Sequence, residues 1–179
     1  MQMRLRTKRM VLCAVFVALG VGLQIVESMV PLPVNLPGGK LGLANIATLI
    51  LLYSFGGKTA FVCAVLRPFL GSLLYGGVSA MLYSVTGSLT AMFVMLAVRH
   101  AGRGRFSPIG VSIAGAVSHN AAQTAVAAVL LSNVWIFTYL PILAIAACIT
   151  GIFTGYAAKF ALAYLKKARL WNGKEDTIS

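Results

Sequence analysis

Six apolar runs, separated by short polar or basic segments, are the feature that most constrains the fold of this chain. Hydrophobic residues make up 59% of the 179 residues, charged residues make up 10%, and the mean hydropathy is +0.90. A soluble domain carries about 25% charged residues, and a transmembrane helix needs about 20 mostly apolar residues. We therefore expect an all-α integral membrane protein, a single domain over 1–179, folded as a bundle of six transmembrane helices. The predicted spans are 10–29, 41–55, 60–75, 79–98, 108–131 and 135–165.

The positions of the basic residues predict how these spans are oriented. The net charge is +12, but the basic residues lie between the apolar runs, which favours topology signals and anionic-lipid contacts over a nucleic-acid partner. With the N-terminus in the cytoplasm, nearly every Lys and Arg falls on the cytoplasmic side, and the exceptions are Lys40 and Arg67. The pattern predicts a multi-pass protein of the plasma membrane with both termini in the cytoplasm. A secretory signal peptide is the rival interpretation of the first run, but the run ends without a small-residue cleavage site.

Several polar residues lie inside or at the entry of the apolar runs, where they are costly unless they face a cavity, a partner or a ligand. The segment 36–45 (Leu-Pro-Gly-Gly-Lys-Leu-Gly-Leu-Ala-Asn) gives the second span a kinked, polar entry, and we expect the loop 31–40 to act as a lid. The candidate substrate-binding residues are Lys40, Asn45, Arg67, His119, Asn120 and Gln123, followed at lower rank by Tyr75 and Tyr83.

A structural role is open for each of these candidates as well. Arg67 can pair with helix carbonyls, and Pro68 leaves the carbonyl of Ala64 without its usual donor. His119 and Gln123 are four residues apart and share a helix face, which suits hydrogen bonds between helices as well as it suits a ligand. Tyrosines near span ends are common interface anchors.

Small residues in the first span predict a helix contact. Ala14 and Ala18 are four residues apart, so they lie on one face, and small residues at this spacing let another helix approach closely. The partner helix can belong to another subunit or to this chain, and the sequence leaves both open.

Three motifs in order resemble the heptaprenyl diphosphate synthase component I family, also called Gx transporter proteins. They are Pro-Gly-Gly-Lys-Leu-Gly-Leu-Ala-Asn at 37–45, Arg-Pro-Phe-Leu-Gly-Ser-Leu-Leu-Tyr-Gly at 67–76 and Gly-Ala-Val-Ser-His-Asn-Ala-Ala-Gln at 115–123. The family is similar in plan to the substrate-binding S components of energy-coupling factor (ECF) transporters. Those have six helices, and an Ala-x-x-x-Ala in the first helix contacts the coupling subunit. Ala14 and Ala18 match that pattern, so the resemblance implies a partner contact there.

The residues argue against the enzyme activity in the family's label. Polyprenyl synthases bind magnesium diphosphate through aspartate-rich motifs, since hard cations need carboxylate oxygens, but this chain has three acidic residues, Glu27, Glu175 and Asp176. Glu27 stands alone in the spans, near the predicted outer surface. The Gly-Lys-Thr at 57–59 is no phosphate loop, because position 52 is Leu rather than Gly. We expect no catalytic residue, metal or cofactor, and we interpret three cysteines as reduced packing residues: Cys13, Cys63 and Cys148.

Taken together, these patterns predict a membrane-embedded protein that binds or transports a small molecule. Lys40 and Arg67 favour an anionic or carbonyl-bearing ligand. Because the chain has no ATPase motif, active transport would draw on a partner, such as a coupling transmembrane subunit with its ATPases, or on an ion gradient. The alternative is a non-catalytic membrane subunit or scaffold that serves isoprenoid (heptaprenyl diphosphate or quinone) or redox machinery.

Overall fold

All regular elements of the structure are helical. The computed structural model describes residues 2–29, 42–102 and 105–168, with side chains described from Thr7 onward and the side chain of Tyr75 left out. Within these ranges the chain forms six α-helices and one 3₁₀ helix, Val134–Tyr139. The α-helices are α1 (Gln2–Met29), α2 (Asn45–Phe55), α3 (Gly57–Tyr75), α4 (Gly77–Ala101), α5 (Pro108–Leu130) and α6 (Leu140–Lys167).

Four helical segments in the described part of the chain are long and apolar enough to cross a membrane: Thr7–Met29, Gly57–Leu74, Gly77–Ala101 and Val134–Lys167. Their outer faces carry large apolar side chains, such as Leu74 and Phe153, which are 70% and 72% exposed. A soluble monomer rarely exposes apolar surface on this scale, so the structure is consistent with a membrane protein. The other two helices differ, because α2 has 11 residues and α5 buries polar side chains along much of its length.

Helix α2 occupies the centre of the bundle. It contacts each of the other five α-helices, and Ala47, Leu49, Ile50, Leu51 and Leu52 are almost completely buried. The sequence explains this position, because a helix that is apolar on every side is stable where other helices surround it. At 1.5 Å per residue, α2 is about 16 Å long, against about 30 Å for the hydrocarbon core of a bilayer.

Helix ends differ from the predicted spans for identifiable reasons. α1 begins at Gln2 rather than at residue 10, because Lys and Arg are good helix formers and a helix outside the bilayer needs no apolar residues. α2 begins at Asn45 rather than at 41, after a turn in which Gly42 has a φ of 78°. Pro141 lies in the first turn of α6, where its missing N–H removes no helical hydrogen bond.

Helices that are consecutive in the chain run antiparallel, and the contacts between α5 and α6 illustrate how closely they pack. A Cβ atom added to Gly151 would lie 2.7 Å from the Cα of Ile113, and one added to Gly155 would lie 2.6 Å from the Cα of Ile109. The hydroxyls of Ser112 and Thr154 form a buried hydrogen bond of 2.8 Å between the same helices. Small residues thus let the two backbones approach each other, as they do in membrane helix pairs.

The alternating helix directions collect the basic residues at one end of the bundle, which we call the basic end. At this end Arg99 stacks on the ring of Tyr53 at 4.6 Å and donates a hydrogen bond to the carbonyl of Leu52, and Arg9 lies 6.0 Å from the ring centre of Phe55. These contacts hold the C-terminal end of α2. The basic side chains described at this end are Lys8, Arg9, Lys58, Arg99, Arg105, Lys159, Lys166 and Lys167.

Candidate functional site

Arg67 lies in the interior of α3 and is 3% exposed. Its guanidinium donates hydrogen bonds to the side-chain oxygens of Ser88 at 2.8 Å, Asn45 at 3.1 Å and Gln24 at 3.3 Å. These acceptors lie on α4, α2 and α1. One cation therefore links four helices through side-chain oxygens.

Close packing on α1 and α3 holds this arrangement in place. A Cβ atom on Gly20 would lie 2.5 Å from the Cδ of Arg67, so the missing side chain leaves room for the arginine stem. Gly71 likewise leaves room for Gln24, because a Cβ atom added to Gly71 would lie 3.1 Å from the amide of Gln24. The Nε2 of Gln24 also donates a hydrogen bond of 3.5 Å to the hydroxyl of Ser84. Gln24, one of the hydrogen-bond partners of the guanidinium, is thus itself held in place by packing and by a hydrogen bond.

Glu27 lies one helical turn beyond Gln24 and is buried. Its carboxylate accepts a hydrogen bond from the backbone N–H of Gly42, at the turn that leads into α2. Glu27 is thus buried near the end of α1 and has a backbone hydrogen-bond partner there. A carboxylate that accepts a backbone N–H fastens the end of α1 to the start of α2.

His119 and Gln123 share the buried face of α5, as their spacing predicts. Both pack against Gly87 of α4, where an added Cβ would lie 2.9 Å from the Cε1 of His119 and 2.9 Å from the Cγ of Gln123. Gly87 lies on the same α4 face as Ser84 and Ser88, so this pair borders the partners of Arg67. Together these residues form what we call the polar cluster: Gln24, Glu27, Asn45, Arg67, Ser84, Ser88, His119, Asn120 and Gln123.

Some members of the polar cluster have polar atoms without a hydrogen-bond partner among the described residues. Both amide atoms of Gln123 lack one, as do the Oδ1 of Asn120 and the Nδ2 of Asn45. Asn120 donates its amide N–H to the carbonyl of Leu143 at 3.2 Å, which ties α5 to α6. A buried polar group without a partner costs about 1–3 kcal/mol, so a further hydrogen-bond partner for these atoms would be stabilising.

The other candidate residues from the sequence are not members of the polar cluster, or their side chains are not described by the structure. Tyr83 is buried and packs against Ala127, Ala128 and Ile136. Lys40 and the predicted lid 31–40 lie outside the described residues, and the side chain of Tyr75 does too.

Sequence reasoning missed several cluster members as site residues. Gln24 and Glu27 are three apart in an apolar run and so share a face, which was a usable signal. Ser84 and Ser88 are four apart on α4, but serines are frequent in membrane helices and carry little signal alone. Gly87 marks the close approach of α5 and could be found only from the structure.

The groups of the polar cluster can recognise a polar ligand by hydrogen bonding. No three His, Cys, Asp or Glu side chains come together in the part of the chain that the structure describes. The polar cluster offers amide, hydroxyl, imidazole, carboxylate and guanidinium groups, which recognise polar ligand groups by hydrogen bonding.

A second feature faces outward from α1. Ala14 and Ala18 are exposed, so neither packs within the described part of the bundle. Gly22 follows Ala18 by the same four residues, and a Cβ atom added to it would have no neighbour within 4 Å. The described structure therefore leaves this face of α1 accessible to lipid or to another protein.

Comparison with known proteins returned one family. A family model for heptaprenyl diphosphate synthase component I matches residues 16–161, which span the polar cluster and all six α-helices in whole or in part. No curated protein and no solved structure matches the chain. The match covers most of the chain, and the chain therefore belongs to the heptaprenyl diphosphate synthase component I family.

Proposed function

We propose that this protein captures a small molecule within the membrane, in the manner of the S component of an ECF transporter. The polar cluster would be the binding site, and the chain itself would carry out no chemistry on the ligand. The ligand would be small and would carry an anionic or carbonyl group, because the cluster contains a guanidinium and several amide and hydroxyl groups.

The observation that carries this proposal is the convergence of buried polar side chains from five helices, some of whose atoms lack a hydrogen-bond partner among the described residues. Polar groups inside a membrane protein are expensive and mark functional sites by default. Residues that merely tie helices together find their partners within the chain, as Ser112 and Thr154 do. The two amide atoms of Gln123 and the Oδ1 of Asn120 find none among the described residues.

The distribution of charge supports an orientation for this function. The basic end would face the cytoplasm by the positive-inside rule. With six spans, the polar cluster would then lie toward the extracellular end of α2. The ligand would enter from outside. The exposed face with Ala14 and Ala18 would dock a coupling transmembrane subunit with its ATPases, because this chain supplies no motif for ATP hydrolysis.

Native mass spectrometry of the protein purified from its own membranes tests the proposal. We expect a bound small molecule on the wild type, its loss from Asn45→Ala, and its retention by Ser112→Ala, which removes a buried hydrogen bond outside the polar cluster. A wild-type protein that carries no small molecule but co-purifies with a prenyl synthase or redox subunit would support the scaffold alternative instead.

A further inference from the structure

Gln123 buries two polar atoms that have no hydrogen-bond partner among the described residues, whereas Ser54 and Ser72 each bury one such hydroxyl. It is 3% exposed, and neither its Oε1 nor its Nε2 has a hydrogen-bond partner among the described residues. The neighbouring Thr124 donates to the carbonyl of Asn120 at 2.8 Å, and Gln24 pairs with Arg67. Gln123 therefore buries one donor group and one acceptor group that no described residue uses.

Packing against α4 restricts where this amide can point. The Cγ of Gln123 lies where Gly87 has no side chain, 2.9 Å from the position of an added Cβ. Asn120 is three residues earlier on α5 and so neighbours Gln123 on the helix surface, and it contributes a further acceptor without a partner, its Oδ1. These two side chains, which we call the amide edge, together offer one donor group and two acceptor atoms that pair with no described residue.

We infer that this edge, Gln123 with Asn120, recognises a ligand group that presents an N–H and a C=O side by side, as a lactam or a primary carboxamide does. This inference rests on the proposed function and narrows the class of its ligand. The amide of Gln123 can pair with such a group through two parallel hydrogen bonds. Arg67 then positions the cluster, since three side-chain oxygens already accept its hydrogen bonds.

A pair of small probes tests the inference on ligand-stripped protein in lipid nanodiscs. 2-Pyridone carries the adjacent N–H and C=O, and N-methyl-2-pyridone keeps the carbonyl but lacks the donor. By saturation-transfer NMR we expect wild-type protein to bind the N-methyl probe about tenfold more weakly, because a buried acceptor would be left unpaired. Gln123→Met should abolish the preference and should melt no lower than wild type, since it removes two unpartnered polar groups. Ser112→Ala should keep the preference.

Equal binding of the two probes by wild-type protein, or an unchanged preference in Gln123→Met, would overturn the inference. The comparison of the probes on wild-type protein stands even if the variant does not fold. If wild-type protein binds neither probe but retains another small molecule in native mass spectrometry, the inference is wrong and the proposed function stands. If it binds neither probe and retains no small molecule, the proposed function is wrong as well.

Discussion

Replacing Arg67 by Met tests whether the arginine is mainly a link between helices. Methionine keeps an unbranched stem beside Gly20 but donates no hydrogen bond, so three side-chain oxygens on three other helices lose their donor. We expect the ligand-free protein to be less stable than wild type, and we expect Arg67→Lys to recover part of the loss, since an ammonium cannot reproduce the planar fork.

The size of the effect follows from the three bonds. Hydrogen bonds to a charged group contribute about 1.5–3 kcal/mol each, so three give about 4.5–9 kcal/mol, from which about 2.5–3.5 kcal/mol is regained when the buried arginine is removed. The remaining loss is about 1–6.5 kcal/mol. For a chain of this length, 1 kcal/mol shifts the melting temperature by about 2–4 °C, so a loss of about 3 kcal/mol lowers it by about 6–12 °C.

The assay is thermal unfolding of ligand-stripped wild type, Arg67→Met and Arg67→Lys in one detergent. A matched control is Lys159→Met, because Lys159 is an exposed cation at the basic end and its loss should shift melting little. An Arg67→Met protein that melts at or above wild type without ligand would refute the reasoning. Arg67 would then be a charge that the fold tolerates for the sake of a ligand.

Three further predictions concern packing, partners and topology. Gly87→Ala should push apart α4 and the two α5 side chains that pack on it, so ligand retention in native mass spectrometry should fall at least tenfold, with melting lowered by a few degrees; unchanged retention would separate Gly87 from the site. Ala14→Leu with Ala18→Leu should abolish co-purification of a partner while the melting temperature stays within about 2 °C of wild type, because both alanines are exposed; a large fall in melting would place them inside the bundle. In a cysteine-free background, an impermeant maleimide added to intact cells should label Trp135→Cys and not Lys58→Cys, and the reverse labelling would invert the proposed topology.

Much of the fold could be predicted, because the hydrophobic runs and their basic borders are local signals. The all-helical architecture and the family are confirmed, since both depend on patterns that a single stretch of sequence carries. The position of α2 could not be predicted in the same way. Its run is apolar on every side, which fits a central helix and a lipid-facing helix equally well. Which of the two positions α2 takes depends on how the other five helices pack around it.

In the candidate site, too, local features could be predicted from the sequence and tertiary contacts could not. The polar character of Asn45, Arg67, His119, Asn120 and Gln123 within apolar runs predicts burial, and all five are buried. Their partners are set by tertiary structure: Gln24 lies 43 residues from Arg67 in the chain, and Ser88 lies 21 residues away. Residues this far apart meet through helix packing, for which the sequence carries no local signal.

The short central helix has a consequence for how the protein is made. An isolated helix of 11 residues is too short to cross the hydrocarbon core, so α2 should enter the bilayer as a hairpin with α3, to which it is joined at Gly56. Until α4 has been synthesised, Ser88 is absent and Arg67 lacks its nearest acceptor. The α2–α3 hairpin should therefore remain with the insertion machinery until α4 arrives, and truncation before α4 should leave a product that membrane proteases remove.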